Sequence, residues 1–459
     1  MMLYSRFSQR LIAEMTPEQP GVVALQQCVL ALSGGLDSRV LLHLLARFKQ
    51  EHPHFDYVAV HVHHGLSHNA DTWLEQCQTW SSLEGIEFVA ERVQLALGPR
   101  ISIEQAAREA RYQALKKHIT SRSLLLTAHH QGDQLETFLL ALKRGSGPKG
   151  LSSMARKMAF GDGQLLRPLL DISREEMQEY AHQHQLSWVE DESNQDTRFE
   201  RNFIRHDIAP LLKQRWPNIE KAVTRSAALC AQQEALLKEL LYERYQQMLS
   251  PEGALDIQLL KLQSEAARGA ILRLWLQEQG FPMPSEKQLA HIWQDVALAQ
   301  PDAAPIFCYG QTEIGRHQHQ LWVFAKRSDH SELVLQWEIT QPLLLPNNLG
   351  TLYLISVESW SDFKLQTLAA KSVQTLSLPP NTQQLTVTFS ATGIHAHPEN
   401  RAHGRALKKL LPEWSVPTWQ RNQIPFLVAG NELVAAVGLC VGRDYSGANH
   451  QLVWLKNAV

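Results

Sequence analysis

Between Cys28 and Arg144 the chain repeats one pattern, a short apolar run, a polar turn, then a longer stretch in which apolar residues return every three or four positions. The apolar runs 28–32, 57–62, 88–93 and 124–128 predict strands, and 38–49 and 103–117 predict two of the intervening helices. Strands that alternate with helices need crossover connections, so they build a parallel sheet covered on both faces. Ligands of such a sheet bind beyond the carboxyl ends of its strands, which directs the search to the loops after these four runs. At the N-terminus, Leu3, Phe7, Leu11 and Met15 recur every four residues with Arg6, Arg10 and Glu14 between them. That spacing predicts an amphipathic helix and not a signal peptide.

Past Pro210 the alternation fades. Residues 218–248 read as one long helix with Leu229, Leu236, Leu237, Leu240 and Leu241 on its apolar side. Further helices are expected at 268–277 and 286–297, then short strands near 321–324. From about Glu332 the texture changes to Thr, Val and Leu alternations such as 385–389, with Pro379 and Pro380 as punctuation. The expected fold is α/β, a doubly wound parallel sheet, followed by a helical domain and a small α+β domain. The expected domain ranges are 1–215, 216–330 and 331–459.

Composition narrows the partners. Lys and Arg number 44 against 46 Asp and Glu, a formal net charge of −2, so any nucleic acid must be held by local patches. Cys28, Cys77, Cys230, Cys308 and Cys440 stand far apart, with no zinc-ribbon spacing and no disulfide framework, which fits a reducing, cytoplasmic setting. No apolar run approaches the ~18 residues that cross a bilayer, so no membrane partner is expected.

The first strand runs straight into Ser33, Gly34, Gly35, Leu36, Asp37 and Ser38, and a helix follows at once. Glycines let the backbone approach a ligand closely, serines add donors, and a helix N-terminus presents N–H groups to an anion, so the loop suits phosphate. It is neither a Walker A loop nor a dinucleotide fingerprint. Asp37 repels phosphate unless a cation lies between them, which points to Mg²⁺. A simple helix cap after a strand gives the same local residues.

The segment Ala31 to Ser38 resembles the SGGxDS signature of the PP-loop ATP pyrophosphatases, which cleave ATP to AMP and pyrophosphate while adenylating a carbonyl oxygen. Later motifs narrow the resemblance. His61-Val-His-His-Gly-Leu-Ser67 with Ala70 to Trp73, Glu104 to Tyr112, Thr127-Ala-His-His-Gln-Gly-Asp-Gln-Leu-Glu-Thr137 and Arg144 to Gly147 are similar, in order, to the tRNA(Ile)-lysidine synthases. Glu190 to Asp196, Arg201-Asn-Phe-Ile-Arg205, Arg405-Ala-Leu-Lys-Lys409 and Val416 to Arg421 extend the likeness over nearly the whole chain. The resemblance implies a ligase acting in two steps on the wobble cytidine of the tRNA(Ile) with a CAU anticodon. ATP adenylates the 2-oxo group of the base, and the ε-amine of L-lysine then displaces AMP to leave lysidine.

Several residues suit that chemistry. Asp133 and Glu136 are three apart at a helix start, so both carboxylates face one way, as a lysine site and a proton acceptor require. Acidic helix capping is the plain alternative. Arg108 and Arg111 share a helix face that suits phosphate or a developing oxyanion, although solvated helix arginines look the same. With Asp37 these five are the expected catalytic residues. By family pattern, His64 and His130 join Ser33, Gly34, Gly35, Leu36, Asp37 and Ser38 at ATP. A zinc site built from His61, His63, His64, His129 and His130 is the weaker reading, because cysteine or carboxylate ligands at metal spacing are lacking nearby and strand-end histidines in a nucleotide cleft more often make hydrogen bonds.

Arg198, Arg201 and Arg205 recur at helical spacing and make a basic stripe suited to the tRNA backbone. From Arg401 to Arg421 five basic residues stand against one acidic, a local balance of +4, with Trp414 and Trp419 interleaved. Arg405, Lys408, Lys409 and Arg421 are therefore expected at tRNA, with the tryptophans available for stacking or for the core. The implied partners are ATP, Mg²⁺, L-lysine and tRNA(Ile) with CAU; no obligatory protein partner is indicated and a homodimer stays open. Two positions depart from the family: Gly132 stands where many members carry a second acidic residue, and Ala406 where a basic residue is common. A tRNA thiolation enzyme also adenylates a base oxygen, but its clustered cysteines are missing here. A carboxyl-activating synthetase matches the later motifs poorly, and a non-catalytic nucleotide-binding regulator has no use for Asp37, Asp133 and Glu136 together.

Overall fold

The computed structural model describes residues 2–16, 25–65, 67–95, 103–300, 303–360 and 372–456, so Leu66 of the His61 motif lies outside the described residues. The chain divides into two compact units, Met1–Glu239 and Leu240–Val459.

In the first unit α1 (Met2–Met15) precedes β1 (Gln27–Ala31), α2 (Leu36–Glu51), β2 (Asp56–His63), α3 (Ala70–Leu83), β3 (Glu87–Arg92), α4 (Ile103–Lys116), β4 (Ser123–Leu126) and α5 (Gln131–Lys143). A short α6 (Pro148–Leu151) then leads to β5 (Lys157–Phe160), β6 (Gly163–Leu166) and α7 (Arg174–Gln183). The six strands lie in the order β3-β2-β1-β4-β6-β5. All pair in parallel except β5, which runs antiparallel to β6 at the edge. Val29 of β1 sits between Val58 of β2 and Leu125 of β4, all buried, as a central parallel strand covered on both faces requires.

The four strands expected from apolar runs form the sheet's centre and one edge. The β5–β6 hairpin is not among the expected strands: β5 exposes Lys157, Met158 and Ala159, and β6, which buries Leu165 and Leu166, is only four residues long. Phe7, Leu11 and Met15 of α1 are buried in the main core, while Arg6 and Arg10 hold Asp171 at 3.0 and 2.5 Å. The amphipathic N-terminal helix is thus a clasp on the parallel-sheet fold.

The long helix spans Ile219–Met248. Val223 joins Leu135 and Ala209 in a small core, and Leu241, Tyr245 and Met248 belong to the core of the second unit. The expected apolar side is only partly covered, for Leu229, Leu236, Leu237 and Leu240 are 43 to 65% exposed.

The second unit joins helices Glu265–Glu278 and Glu286–His291 to a four-stranded sheet that contains Ile306–Tyr309, Thr312–His317 and Gln320–Ala325. Further on, two sheets face one another across a core of Trp337, Leu352, Val387, Phe389, Leu452 and Trp454. The C-terminal part is richer in strand than a small mixed domain suggests, with Leu407–Glu413 as its longest helix among the described residues.

Candidate active site

The crevice opens where the strand order reverses, between β1 and β4, and the loops after both strands meet there. In the loop after β1, Gly34 takes φ +91°, a conformation that strains any side chain, and a Cβ on it would lie 3.1 Å from Cys77 Sγ. The loop is tied from within. Buried Ser38 accepts from Gly34 N–H at 3.1 Å and from the Ser33 hydroxyl at 3.0 Å, and donates to the Gly35 carbonyl at 3.0 Å. Val189 N–H closes the loop on the Gly34 carbonyl at 3.0 Å. Gly35 precedes α2 and offers no side-chain cap, so the first N–H groups of α2 have no side chain to satisfy them, as at anion-binding helix starts. Leu36 points into the core, which leaves its backbone for a ligand.

Asp37 is half-exposed as a side chain, yet its Oδ1 is buried and has no hydrogen-bond partner. Burial raises its carboxyl above the ordinary range, against the opposing pull of His130, Arg174 and Arg205. His130 caps α5. Its Nδ1 accepts from Gly132 N–H at 3.0 Å, while Asp133 Oδ2 accepts from His130 N–H at 2.9 Å. An Nδ1 that accepts leaves the ring proton on Nε2, and Nε2 lies 3.6 Å from both Asp37 Oδ2 and Asp133 Oδ2. The histidine therefore sits between the loop carboxylate and the α5 carboxylate. The same cap explains Gly132: a Cβ there would stand 2.7 Å from His130 Cε1, so any side chain must turn the ring.

Asp133 stays below the usual carboxylate range although burial pushes it up, because His130, His129 and the His130 N–H favour the charged form. Glu136, one turn on, is 3% exposed and is raised by burial. Its Oε1 meets Arg205 Nε at 2.6 Å, and its Oε2 is buried without a partner. Asp133 Oδ1 lies 3.4 Å from Arg205 Nη2. Arg205 was expected on a basic stripe facing tRNA; its guanidinium lies instead on the two carboxylates. The residue falls in a π-helical turn, Ile204–Ile208, which breaks the regular helical spacing on which the stripe rests. Arg198 is exposed and pairs with Asp196 at 2.7 Å, and Asn202 donates to the Asp196 carbonyl at 3.0 Å.

His64 leaves a buried Nδ1 without a partner, and burial with the nearby Arg111 lowers its imidazole to about 4, so it is neutral at pH 7. Arg111 Nε is 3.5 Å from His64 Nε2, and Arg108 lies over Tyr112 at 4.9 Å. Burial also lowers His129 to about 4, with its Nδ1 at 2.9 Å from Thr127 Oγ1. His61 Nδ1 meets the Leu32 carbonyl at 2.9 Å and so supports the strand end below the phosphate loop. No sequence motif marks Arg167 or Arg174. Arg167, buried directly after β6, holds the Ala155 carbonyl at 2.6 Å; an arginine closing an apolar strand run was the only available signal.

In the C-terminal motif, Leu407, Leu410 and Leu411 face inward and leave Lys408 and Lys409 exposed on the other side of their helix. Arg405 and Arg401 both pair with Glu413, the latter at 2.8 Å. Arg421 Nε donates to the Val416 carbonyl at 3.1 Å. Trp419 is unavailable for stacking on RNA. It is buried against Phe324, ring centroids 5.0 Å apart, in space that exists because Gly315 has no side chain.

An uncapped helix start after β1, a glycine in a left-handed turn and carboxylates gathered at the strand-order reversal define an α/β domain with an anion-binding loop at its strand-order reversal. Residues 4–212 match the family model described as PP-loop domain, residues 255–322 the TilS substrate binding domain, and residues 385–456 the TilS substrate C-terminal domain. Proteins of Vibrio vulnificus and Photobacterium profundum, both called tRNA(Ile)-lysidine synthase, are 47% identical to this chain over 99% and 100% of its length and of theirs. A protein of the same name from Vibrio parahaemolyticus is 48% identical over 99% of each chain. The chain belongs to the tRNA(Ile)-lysidine synthase family.

Proposed function

We propose that this chain joins L-lysine to the wobble cytidine of a tRNA(Ile) with a CAU anticodon, using ATP. The observation that carries the reading is the pairing of an anion-binding loop with Asp37, Asp133 and Glu136, two of which keep a buried oxygen without a partner. Buried unpaired carboxylate oxygens are costly unless a ligand completes them. The first step forms a bond between the cytosine 2-oxygen and the α-phosphorus of ATP and expels pyrophosphate. In the second, the lysine ε-amine bonds to C2, AMP departs with the oxygen, and the amine loses its proton.

The phosphate loop and the start of α2 bind the triphosphate, with His64 and His130 beside it. Asp37 fits Mg²⁺: a hard carboxylate oxygen, buried and unpartnered, beside a phosphate loop is what such an ion takes. Bound there, Mg²⁺ would neutralise phosphate charge. Asp133, which stays ionised, orients the lysine ammonium, and Glu136, made more basic by burial, takes its proton. Arg108 and Arg111 of α4, the latter beside His64, carry charge that suits the phosphates.

The direct test supplies Mg-ATP, labelled lysine and unmodified tRNA(Ile) bearing CAU, with tRNA(Met) as control. Label in tRNA(Ile) alone is the expected result. Pyrophosphate release without label would redirect the search to another nucleophile, and silence in both would favour a binding protein.

Lys408 and Lys409 are proposed as contacts to tRNA phosphates. Replacing both by Ala should weaken tRNA binding and flatten its salt dependence by about two units of log K per log salt, at about 0.9 per phosphate. The Michaelis constants for ATP and lysine should not move. Binding titrations across a salt series check this, and an unchanged slope removes this helix face from the interface.

A further inference from the structure

Arg205 occupies ground that the proposed reaction needs for something else. Its Nε lies 2.6 Å from Glu136 Oε1 and its Nη2 3.4 Å from Asp133 Oδ1, the two carboxylates assigned above to the substrate's ammonium group. We propose that Arg205 is a placeholder cation, a positioning residue that fills the lysine site when lysine is absent and is displaced when lysine enters. The proposal rests on the lysine assignment.

The local chemistry makes exchange feasible. The fit of the guanidinium is incomplete, since Glu136 Oε2 remains buried and without a partner. An ammonium group is more compact and carries three donors that can be turned to several oxygens, whereas the guanidinium fork is rigid. Burial is unequal: the Glu136 side chain is 3% exposed and that of Arg205 27%. The arginine therefore approaches from the solvent side and can return its charge to water, while the carboxylate cannot. A cation is needed there, because Arg205 supplies the ion pair to buried Glu136 and to Asp133, and its loss would leave two buried carboxylates side by side. The backbone at Arg205 is also irregular. Ile204–Ile208 is a π-helical turn between the short helices Glu200–Phe203 and Ala209–Arg215, and such turns interrupt the hydrogen-bond ladder that fixes a side chain's position.

A competitor that holds the site lowers apparent affinity by the fraction of molecules it occupies. Calorimetric titration of L-lysine into the full chain, without ATP or tRNA, should therefore show about tenfold tighter binding to Arg205→Gln than to the parent. Millimolar guanidinium ion should weaken lysine binding to the variant more than to the parent, because the free ion refills the vacated place. A purely structural role predicts neither effect. Arg205→Met, which keeps the apolar stem, is read in its place if the Gln variant fails to fold. Glu136→Gln is the control for the underlying reading. If Glu136→Gln weakens lysine binding while both Arg205 variants fold and bind lysine no more tightly than the parent, the placeholder is overturned and the lysine site stands. If Glu136→Gln binds lysine as the parent does, the lysine assignment fails and the proposal falls with it.

Discussion

Asp37→Asn should abolish most tRNA-dependent pyrophosphate release, by about 10² to 10³-fold, while leaving the protein at least as stable as the parent. Both halves follow from one geometry. The carboxylate is held at the start of α2 with Oδ1 buried and unpartnered, and burial raises its pKa, so the folded protein bears the charge at a cost. Asn keeps the shape and removes the charge, which relieves that cost and deletes the group proposed to hold Mg²⁺ against the phosphates. Pyrophosphate release and a thermal melt, measured on the same preparation, check the pair. Turnover equal to the parent would remove Asp37 from the site, whereas a large fall in melting temperature would show that the side chain serves the fold.

The second large effect separates the two half-reactions. Glu136→Gln should raise the Michaelis constant for lysine by about 10 to 100-fold, the loss of one or two charge-assisted hydrogen bonds. Adenylation should persist, because Glu136 is not assigned to the phosphates, so pyrophosphate release should outrun lysine incorporation. Asp133→Asn should behave alike, and its amide oxygen can still accept from His130 N–H and preserve the cap of α5. The pH dependence carries the same signature. Burial raises the Glu136 carboxyl, so as pH falls it takes up its proton earlier than an ordinary glutamate, and lysine binding should weaken at a pH above the usual carboxylate range. Asp133 is lowered and stays charged through that window. Lysine titrations across pH in the parent and in Glu136→Gln test this, since the variant should lose the dependence.

The loop and both carboxylates were legible in the chain because each depends on neighbours close in sequence. Gly34, Gly35 and Ser38 build their turn from hydrogen bonds between the Ser38 hydroxyl and backbone a few residues away, and Asp133 and Glu136 face one way because a helix repeats every 3.6 residues. The apolar runs of β1, β2 and β4 were equally plain, since a buried parallel strand must be apolar on both faces, while β3 at the edge is only partly buried. The β5–β6 hairpin was not, for β5 at the edge exposes Lys157 and Met158 and the buried β6 is only four residues long. Nor was the exposure of Leu229, Leu236 and Leu237, because an apolar helix side does not say whether anything covers it.

Residues far apart in sequence mark the limit. Arg205 follows Glu136 by 69 positions, and no local pattern tells a guanidinium paired to a carboxylate from one turned to solvent; the π turn at 204–208 removes the regular spacing on which the stripe rested. Trp419 shows the same thing from the other side. Interleaved with basic residues it reads equally as a base-stacking aromatic or a core residue, and Gly315, 104 positions earlier, leaves the space its ring fills. Periodicity and turn chemistry are properties of neighbours along the chain and survive in one dimension. Ion pairing, desolvation and packing depend on distances that arise after the strands have been ordered and the helices laid across them.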